Sequence, residues 1–220
     1  MPRIPTEQRR LELINAAVEV IAERGVAGAT TRLIAERADS PLTMIHYCFG
    51  AKEELFFAIF EHLADTHFEQ ALHVRPGVGL GRAAAVVVRQ MGGWLADNDS
   101  YARAESELFP WVVRQDNEKA RKLYDQTIEV FAAKLRHGMR RDDDTELVDV
   151  LARMILAYGD GSVIHDSTYI DRAVRETMLD SMAEALERLA DAHRLLDWGD
   201  VSSSGTSSVR ERRQGASPSP

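Results

Sequence analysis

The sequence predicts an all-α protein in which a small N-terminal three-helix unit precedes a larger helical bundle. Apolar residues recur at spacings of three and four along most of the chain, and no segment shows the alternation of a strand. Between residues 42 and 217 the only prolines are Pro76 and Pro110, so long helices are allowed there. A chain of 220 residues is also long enough to bury a substantial core.

The first helix has the clearest periodicity. Leu11, Ile14, Val18 and Ile21 follow one another at intervals of three, four and three residues, which places them on one helical face. Gly25 comes next and is predicted to end the helix, because glycine adopts left-handed backbone without strain.

The second helix is short. It is predicted over residues 32–38, with Thr30 or Thr31 as the N-cap. Leu33 and Ile34 form part of its buried side. An isolated helix of this length is unstable in water, so tertiary packing must hold it in place.

A break separates the second helix from the third. Asp39, Ser40 and Pro41 end helix 2, and Ser40 is predicted to cap helix 3, with Pro41 at its first position. Helix 3 is predicted over about 42–48, and a fourth helix begins near Lys52.

The remainder of the chain is predicted to form a helical bundle followed by a tail. Its long apolar-periodic segments fall at residues 81–97, 99–115, 117–140, 144–161 and 168–196. A Ser/Gly/Pro-rich stretch without core residues ends the sequence and is predicted to be disordered. The predicted domains are therefore residues 1–51, 52–197 and 198–220.

The amino-acid composition excludes few classes of function. The net charge is −8, but residues 1–55 carry seven basic and eight acidic side chains, so the acidity lies mainly elsewhere. Phosphate binding needs a local basic face rather than a basic total, and the net charge neither supports nor excludes nucleic-acid binding.

The single cysteine, Cys48, excludes an internal disulfide. Because no signal peptide or membrane-spanning apolar run is recognisable, the expected location is cytoplasmic, with no membrane partner.

Three short helices with a tight turn between the second and the third have the sequence shape of a helix-turn-helix. In that motif helix 3 enters the DNA major groove, and only its N-terminal part must reach the base edges. The pattern alone fits a three-helix packing unit without a ligand equally well, because helical hairpins are common.

The segment "AAVEVIAERGVAGATTRLIAERADSPLTMIHYCFGAKEELF" resembles the N-terminal domain of the TetR/AcrR family of bacterial transcriptional regulators. The resemblance depends on an ordered set of features over about residues 10–60. These are the "ERG" helix stop, the "TTRLIAERA" helix, a third helix ending in "HY", the aromatic anchor Phe49, and Lys52 followed by "EEL". The C-terminal part resembles the family only in its helical pattern and in "ILAYGDG" at 155–161.

Three positions depart from the family pattern. Asp39 stands where a glycine is usual, and aspartate tolerates left-handed backbone better than most residues. Ala51 replaces a frequent Ser or Thr, which removes a cap. His46 stands where many members have a tyrosine, so any phosphate contact there becomes pH-sensitive.

The resemblance implies roles for individual residues in DNA binding. The implied DNA-contacting residues are Thr31, Leu42, Thr43, His46, Tyr47 and Lys52. Thr31 and Lys52 would hold phosphates, Leu42 and Thr43 would face bases, and His46 and Tyr47 would contact the backbone. Without the motif, Tyr47 would be interpreted as a packing aromatic and Lys52 as a solvated surface lysine.

The aromatic residues of the middle helices favour either a ligand pocket or an ordinary core. The resemblance implies a pocket for a small-molecule effector. The predicted lining is Phe60, Met91, Trp94, Glu105, Phe109, Tyr124, Ile128, Met154 and Tyr158. The segment "ESELFPW" at 105–111 puts two carboxylates beside aromatics, which suits a cationic effector or a helix with one solvated face.

The resemblance also implies a homodimer through the last two helices, a palindromic operator and release of DNA when the effector binds. It implies a repressor, while the residues themselves leave activation open. A helical protein-interaction adaptor without a DNA role remains the alternative. An enzyme is not expected, because His62, His67 and His73 lack metal-ligand spacing and no phosphate-binding loop is present. No cofactor or metal is predicted.

Overall fold

The computed structural model describes residues 6–62, 68–169 and 171–195, and the predicted tail lies outside these residues. They form helices and no strand. The helices are α1 (Thr6–Gly28), α2 (Thr31–Arg37), α3 (Leu42–Phe49), α4 (Lys52–His62), α5 (Glu69–Ala71), α6 (Leu80–Asp97), α7 (Asp99–Gln115), α8 (Asn117–Gly138), α9 (Leu147–Thr168) and α10 (Arg172–Leu195). The all-α prediction is confirmed.

Gly25 interrupts α1, as the sequence predicts, but one further turn follows it. Its φ of 66° lies in the left-handed region, where a side chain would be strained. The chain resumes helical geometry as far as Gly28, and the amide of Ala29 donates to the carbonyl of Gly25 at 3.1 Å. Val26 is buried against the core of the N-terminal helices.

The turn between α2 and α3 is a Schellman motif. The amide of Asp39 donates to the carbonyl of Glu36 at 3.1 Å, and the amide of Ser40 donates to that of Ala35 at 2.9 Å. Asp39 has a φ of 44°, in the conformation where the motif favours glycine. Pro41, rather than Ser40, is the N-cap of α3. The Ser40 hydroxyl does not cap it because Ser40 lies in the turn one residue earlier.

Replacing Asp39 with glycine should stabilise this turn. We expect Asp39→Gly to raise the free energy of unfolding by about 0.5–1 kcal/mol, because glycine has no Cβ to strain at positive φ. Asp39→Val should lower it by about 1–2 kcal/mol for the same reason. Urea denaturation measures both changes, and equal signs for the two variants would contradict the account.

The core of the N-terminal unit extends beyond the first three helices. Leu13 and Ile21 of α1 are fully buried with Ile34 of α2 and Ile45 of α3. The buried side chains of α4, Leu55, Phe56, Ala58 and Ile59, belong to the same cluster, and so do Ala104 and Leu108 of α7. Helix α4 therefore completes the N-terminal core, and α7 ties that core to the bundle.

The C-terminal bundle packs α6 at its centre against α8, α9 and α10. The buried side chains come from all four helices and include Val88, Phe131, Leu135, Leu151 and Leu186. Each fully buried aliphatic or aromatic side chain of this kind stabilises a fold by about 1.5–3 kcal/mol.

Helix α9 differs from its predicted span of 144–161 at both ends. It begins only at Leu147, because Asp143 Oδ2 accepts from the amides of Leu80 and Arg140, each at 2.7 Å, and so holds the preceding loop. It continues past Gly159 to Thr168. Gly159 packs closely on α6, since a Cβ added to it would lie 3.0 Å from Met91 Sδ.

Helix α10 begins at Arg172 instead of at the predicted residue 168. Asp171 Oδ1 accepts from the amides of Ala173 at 3.0 Å and Val174 at 3.2 Å, which makes it the cap of the helix.

None of the helices formed by residues 6–62, 68–169 and 171–195 combines the length and the apolarity that a membrane crossing requires.

Candidate nucleic-acid interface and ligand cavity

Helix α3 divides cleanly into a buried and an exposed side. Ile45 and Phe49, one turn apart, anchor it in the N-terminal core. The opposite side carries four exposed residues at the spacing of one helical face, namely Leu42, Thr43, His46 and Tyr47. Tyr47 is 71% exposed and Leu42 is 44% exposed, so both side chains are accessible on this surface. Four of the six predicted DNA-contacting residues thus share one surface.

Arg10 braces the C-terminal end of α3. Its Nη1 donates to the carbonyl of Cys48 at 3.1 Å, and its guanidinium lies 4.4 Å from the centroid of the Phe49 ring. The hydrogen bond satisfies one of the carbonyls that a helix end leaves open. Arg10 therefore fixes the orientation of α3 on α1, a role that its sequence position did not reveal.

The remaining two predicted DNA-contacting residues lie at helix starts. Thr31 is the first residue of α2 and is half-buried, whereas Thr30 is the N-cap, its hydroxyl accepting from the amide of Leu33 at 3.2 Å. Lys52 is the first residue of α4, and its Nζ lies 5.2 Å from the centroid of the Phe56 ring. Both side chains are partly exposed.

His46 is held within its own helix end. Its Nδ1 lies 3.1 Å from the carbonyl of Gly50, and a carbonyl accepts, so Nδ1 donates. Neutral His46 then has an unprotonated Nε2, which can accept but cannot donate. Only the protonated imidazole can donate a hydrogen bond to a phosphate from this position.

A cavity of about 230 Å³ lies between α7 and α9. Its lining residues are Glu105, Ser106, Phe109, Pro110, Asp160, Val163 and Ile164. Glu105 and Phe109 also line a narrow cleft together with Phe60, Tyr124 and Leu156. We call these two neighbouring spaces, which share Glu105 and Phe109, the α7–α9 cavity.

Two carboxyl groups in the α7–α9 cavity have perturbed acidity. Burial, and then the neighbouring Asp160, raise the pKa of Glu105 to about 8. Burial also raises the pKa of Asp160, and the hydrogen bond that the Tyr124 hydroxyl donates to Asp160 Oδ2 opposes that shift. Burial and the same hydrogen bond raise the pKa of Tyr124.

The structure brings some of the predicted pocket residues together and separates others. Phe60, Glu105, Phe109 and Tyr124 line the α7–α9 cavity, where the Phe109 and Tyr124 ring centroids are 5.1 Å apart. The other predicted pocket residues lie elsewhere. Met91 and Ile128 are buried in the bundle core, Trp94 packs against that core, Tyr158 lines a different cavity, and Met154 is 38% exposed on α9.

The cavity beside Tyr158 is larger, at about 310 Å³, but its charges are balanced. Arg175 Nε lies 2.6 Å from Asp166 Oδ2 in its wall. An internal ion pair leaves little net charge for a ligand to neutralise. The α7–α9 cavity differs because, within the described part of the chain, neither Glu105 nor Asp160 forms an ion pair.

Sequence reasoning missed Asp160. The signal was present in "ILAYGDGSVI", where a single carboxylate interrupts an otherwise apolar or small helical segment. Such a residue is buried or half-buried on a helix only with a partner or a purpose.

The exposed side of α9 forms a continuous stripe. Val150, Met154, Ala157, Gly161 and Ile164 follow one another at intervals of four, three, four and three residues, and all are exposed. Val150 is 48% exposed and Ile164 is 64% exposed. Small residues at its centre would let another helix approach closely. We call these five residues the α9 stripe.

Comparison with known proteins identifies the N-terminal unit. Residues 13–59 match the family model described as bacterial regulatory proteins, tetR family. The nicotine-responsive transcriptional repressor HdnoR of Paenarthrobacter nicotinovorans is 28% identical over 162 residues, covering 72% of this chain and 84% of HdnoR. The transcriptional regulator BetI of Brucella abortus is 28% identical over 156 residues, covering 70% of this chain and 66% of BetI.

Solved structures share the fold at low sequence identity. A transcriptional regulator from Rhodococcus sp. RHA1 has a TM-score of 0.65 and 22% identity, covering 83% of this chain and 97% of that one. The multidrug binding protein EbrR complexed with ethidium has a TM-score of 0.58 and 23% identity, covering 84% and 99% of the two chains.

Proposed function

Because the chain belongs to the TetR family of bacterial regulatory proteins, we propose that it represses transcription as a homodimer on a palindromic operator. A small molecule entering the α7–α9 cavity releases the operator. The observation that carries the proposal is the outer face of α3, where Leu42, Thr43, His46 and Tyr47 project together from a helix anchored by Ile45 and Phe49.

The six DNA-contacting residues divide into two groups by their chemistry. Leu42 and Thr43 stand at the start of α3, the part of a recognition helix that reaches base edges. His46 and Tyr47 lie one turn further along α3, Thr31 begins α2 and Lys52 begins α4, and these four residues suit contacts with phosphates. This division separates residues that set the sequence from residues that set the affinity.

Dimerisation is supported by the α9 stripe, which exposes apolar side chains along four turns of helix. A two-fold axis across the stripe would pack it against its own copy, with Ala157 and Gly161 at the crossing. Helix α10 also exposes an apolar side chain, Val174. A dimer of this kind presents two α3 helices, as a palindromic site requires.

Helix α7 is the element through which the cavity can act on DNA binding. Ala104 and Leu108 are buried in the N-terminal core, whereas the adjacent Glu105 and Phe109 line the cavity. The Tyr101 hydroxyl donates to Asn15 Oδ1 at 2.8 Å and ties the same helix to α1. A ligand that shifts α7 therefore shifts the packing of the N-terminal unit. Two relatives support a small-molecule signal, since HdnoR is described as nicotine-responsive and EbrR has been crystallised with ethidium.

Lys52→Ala tests the phosphate contacts. We expect weaker binding to a random-sequence duplex, with the slope of log affinity against log salt concentration reduced by about one unit per protomer, because each lost phosphate contact releases about one counterion fewer. Fluorescence anisotropy across a salt series measures the slope. Lys122→Ala removes an equal charge from α8, where Lys122 pairs with Glu118 at 2.9 Å, and should leave the slope unchanged. Equal slopes for wild type and Lys52→Ala would remove Lys52 from the interface.

A further inference from the structure

We propose that the α7–α9 cavity takes an organic cation with a flat apolar body, which the carboxylates of Glu105 and Asp160 neutralise. The inference rests on the proposed function, because it names the ligand class of the cavity assigned there. It is argued from the charge, the wall chemistry and the size of the cavity.

The charge of the cavity is one-sided. Glu105 from α7 and Asp160 from α9 face the same space, and among the described residues neither is paired with a basic side chain. Arg153 lies beside Tyr124 in a neighbouring surface groove, but it pairs with Asp149 at 2.9 Å and with Asp125 at 3.9 Å. Two carboxyl groups in apolar surroundings are costly to ionise without a counter-charge, and a bound cation supplies one.

A backbone carbonyl adds to the negative polarity of the cavity wall. Pro110 lies inside α7 and has no amide hydrogen, so the carbonyl of Ser106, four residues earlier, lacks its helical donor. Both residues line the cavity. A carbonyl that lacks its helical donor keeps a partial negative charge and can accept another hydrogen bond.

The rest of the wall suits an aromatic or aliphatic body. The Phe109 ring lies 5.1 Å from the Tyr124 ring and 6.4 Å from the Phe60 ring, measured between centroids. Aromatic faces attract cations, most strongly where water is excluded. Val163 and Ile164 complete an apolar side. An anion would meet two carboxyl groups, and a purely apolar neutral ligand would leave both without compensation.

The size of the space sets an upper limit on the ligand. The larger of the cavity's two spaces, at about 230 Å³, is smaller than the ~300–1,000 Å³ of a site for drug-sized compounds. A bicyclic ring system with one charged nitrogen fits this space. Asp160 and Tyr124 are already joined by a hydrogen bond, so Glu105 is the carboxyl group left to meet the charge directly.

Proton release should accompany binding. The titratable groups facing Glu105 are Asp160 of α9 and Tyr124 of α8, and the pKa of Glu105 is about 8. Below that pH the Glu105 carboxyl is protonated, and a permanent cation favours its ionised form. Affinity for the cation should therefore rise with pH, by up to about tenfold per unit between about pH 6 and pH 8, and level off above.

The experiment compares two probes of nearly equal shape on the full-length protein by titration calorimetry. N-methylquinolinium is a permanent cation, and 4-methylquinoline is neutral at about pH 8. We expect the cation to bind with a proton release that approaches one per site below about pH 7 and falls above it, and with the pH dependence given above. Glu105→Gln should weaken its binding at about pH 8 by at least ~10-fold and abolish the pH dependence.

Matched variants separate the charge from the fold. Glu107→Gln alters an exposed carboxylate two residues along α7 and should bind the cation as wild type does. Asp160→Asn keeps an acceptor for the Tyr124 hydroxyl and should also weaken the binding of the cation. The inference is overturned if 4-methylquinoline binds as tightly as the cation, or if Glu105→Gln binds the cation as wild type does.

A DNA assay distinguishes failure of this inference from failure of the proposed function. If the protein binds an operator but the cation does not bind, the ligand class is wrong and the regulator stands. If the cation binds with the expected variant pattern but no operator exists, the site stands and the regulatory role fails.

Discussion

Gly161→Glu is expected to convert the dimer into monomers and to weaken operator binding by about 100-fold or more. Gly161 is one of the two small residues near the middle of the α9 stripe. A Cβ added to it would have no neighbour within 4 Å in its own protomer. Two-fold symmetry brings the two new carboxylates close together in an apolar interface, where like charges repel and lose their hydration. A monomer offers one recognition helix and forfeits the second half-site.

The fold of each protomer should survive this change, because glutamate favours a helix more than glycine does. Gly93→Glu is the matched control, since Gly93 is also helical and also has open space around its Cβ position. Analytical ultracentrifugation measures the assembly, and circular dichroism measures the helicity. A Gly161→Glu protein that sediments as wild type does would place the dimer interface elsewhere.

Phe56→Ala is expected to lower the free energy of unfolding by about 3–5 kcal/mol. Phe56 is fully buried in the N-terminal core, and its ring packs edge-on against Trp111 of α7 with centroids 5.4 Å apart. Truncation leaves a cavity at the point where α4 joins the N-terminal core to α7. It also removes the ring beneath the Lys52 ammonium.

Tyr47→Ala is the contrasting control for this prediction. Tyr47 is 71% exposed, so its removal should change the free energy of unfolding by no more than ~0.5 kcal/mol while weakening DNA binding. Urea denaturation measures both variants. If Phe56→Ala unfolded at the wild-type denaturant concentration, the packing of α4 on α7 would not be as described.

The N-terminal helices could be predicted closely because their boundaries depend on local chemistry. Gly25 adopts positive φ, Thr30 caps α2, and Asp39 turns the chain with the left-handed backbone that an aspartate tolerates. The exact cap of α3 was not predicted, because Ser40 is used by the Schellman turn and Pro41 takes the cap position. Each outcome follows from residues within four positions of the break.

The boundaries of α9 were harder to predict because they depend on distant contacts. Asp143 is drawn into the loop by the amide of Leu80, sixty-three residues away in sequence. The prediction ended the helix at residue 161, whereas the helix continues to Thr168, and Gly159 within it packs on Met91 of α6. Neither partner can be identified from the local pattern.

The α7–α9 cavity was predictable only in part. Glu105 and Phe109 share one face of α7 and were identified together, but Asp160 comes from another helix whose rotation the sequence does not define. Met154 was predicted to line the pocket, but it lies on the exposed side of α9. Apolar periodicity on α9 fits a core face and an exposed stripe equally well, and the packing of α6 and α8 decides which face is buried.

Selection of bound DNA from a randomised duplex library tests the central claim most directly. The wild-type protein, stripped of any ligand by refolding, is expected to enrich a palindrome with half-sites that fit two α3 helices about one helical turn or a multiple of it apart. Thr43→Val should enrich a palindrome altered at the positions that Thr43 faces. A wild-type protein that enriches no sequence at low salt would contradict the account and would favour a helical adaptor without a DNA role.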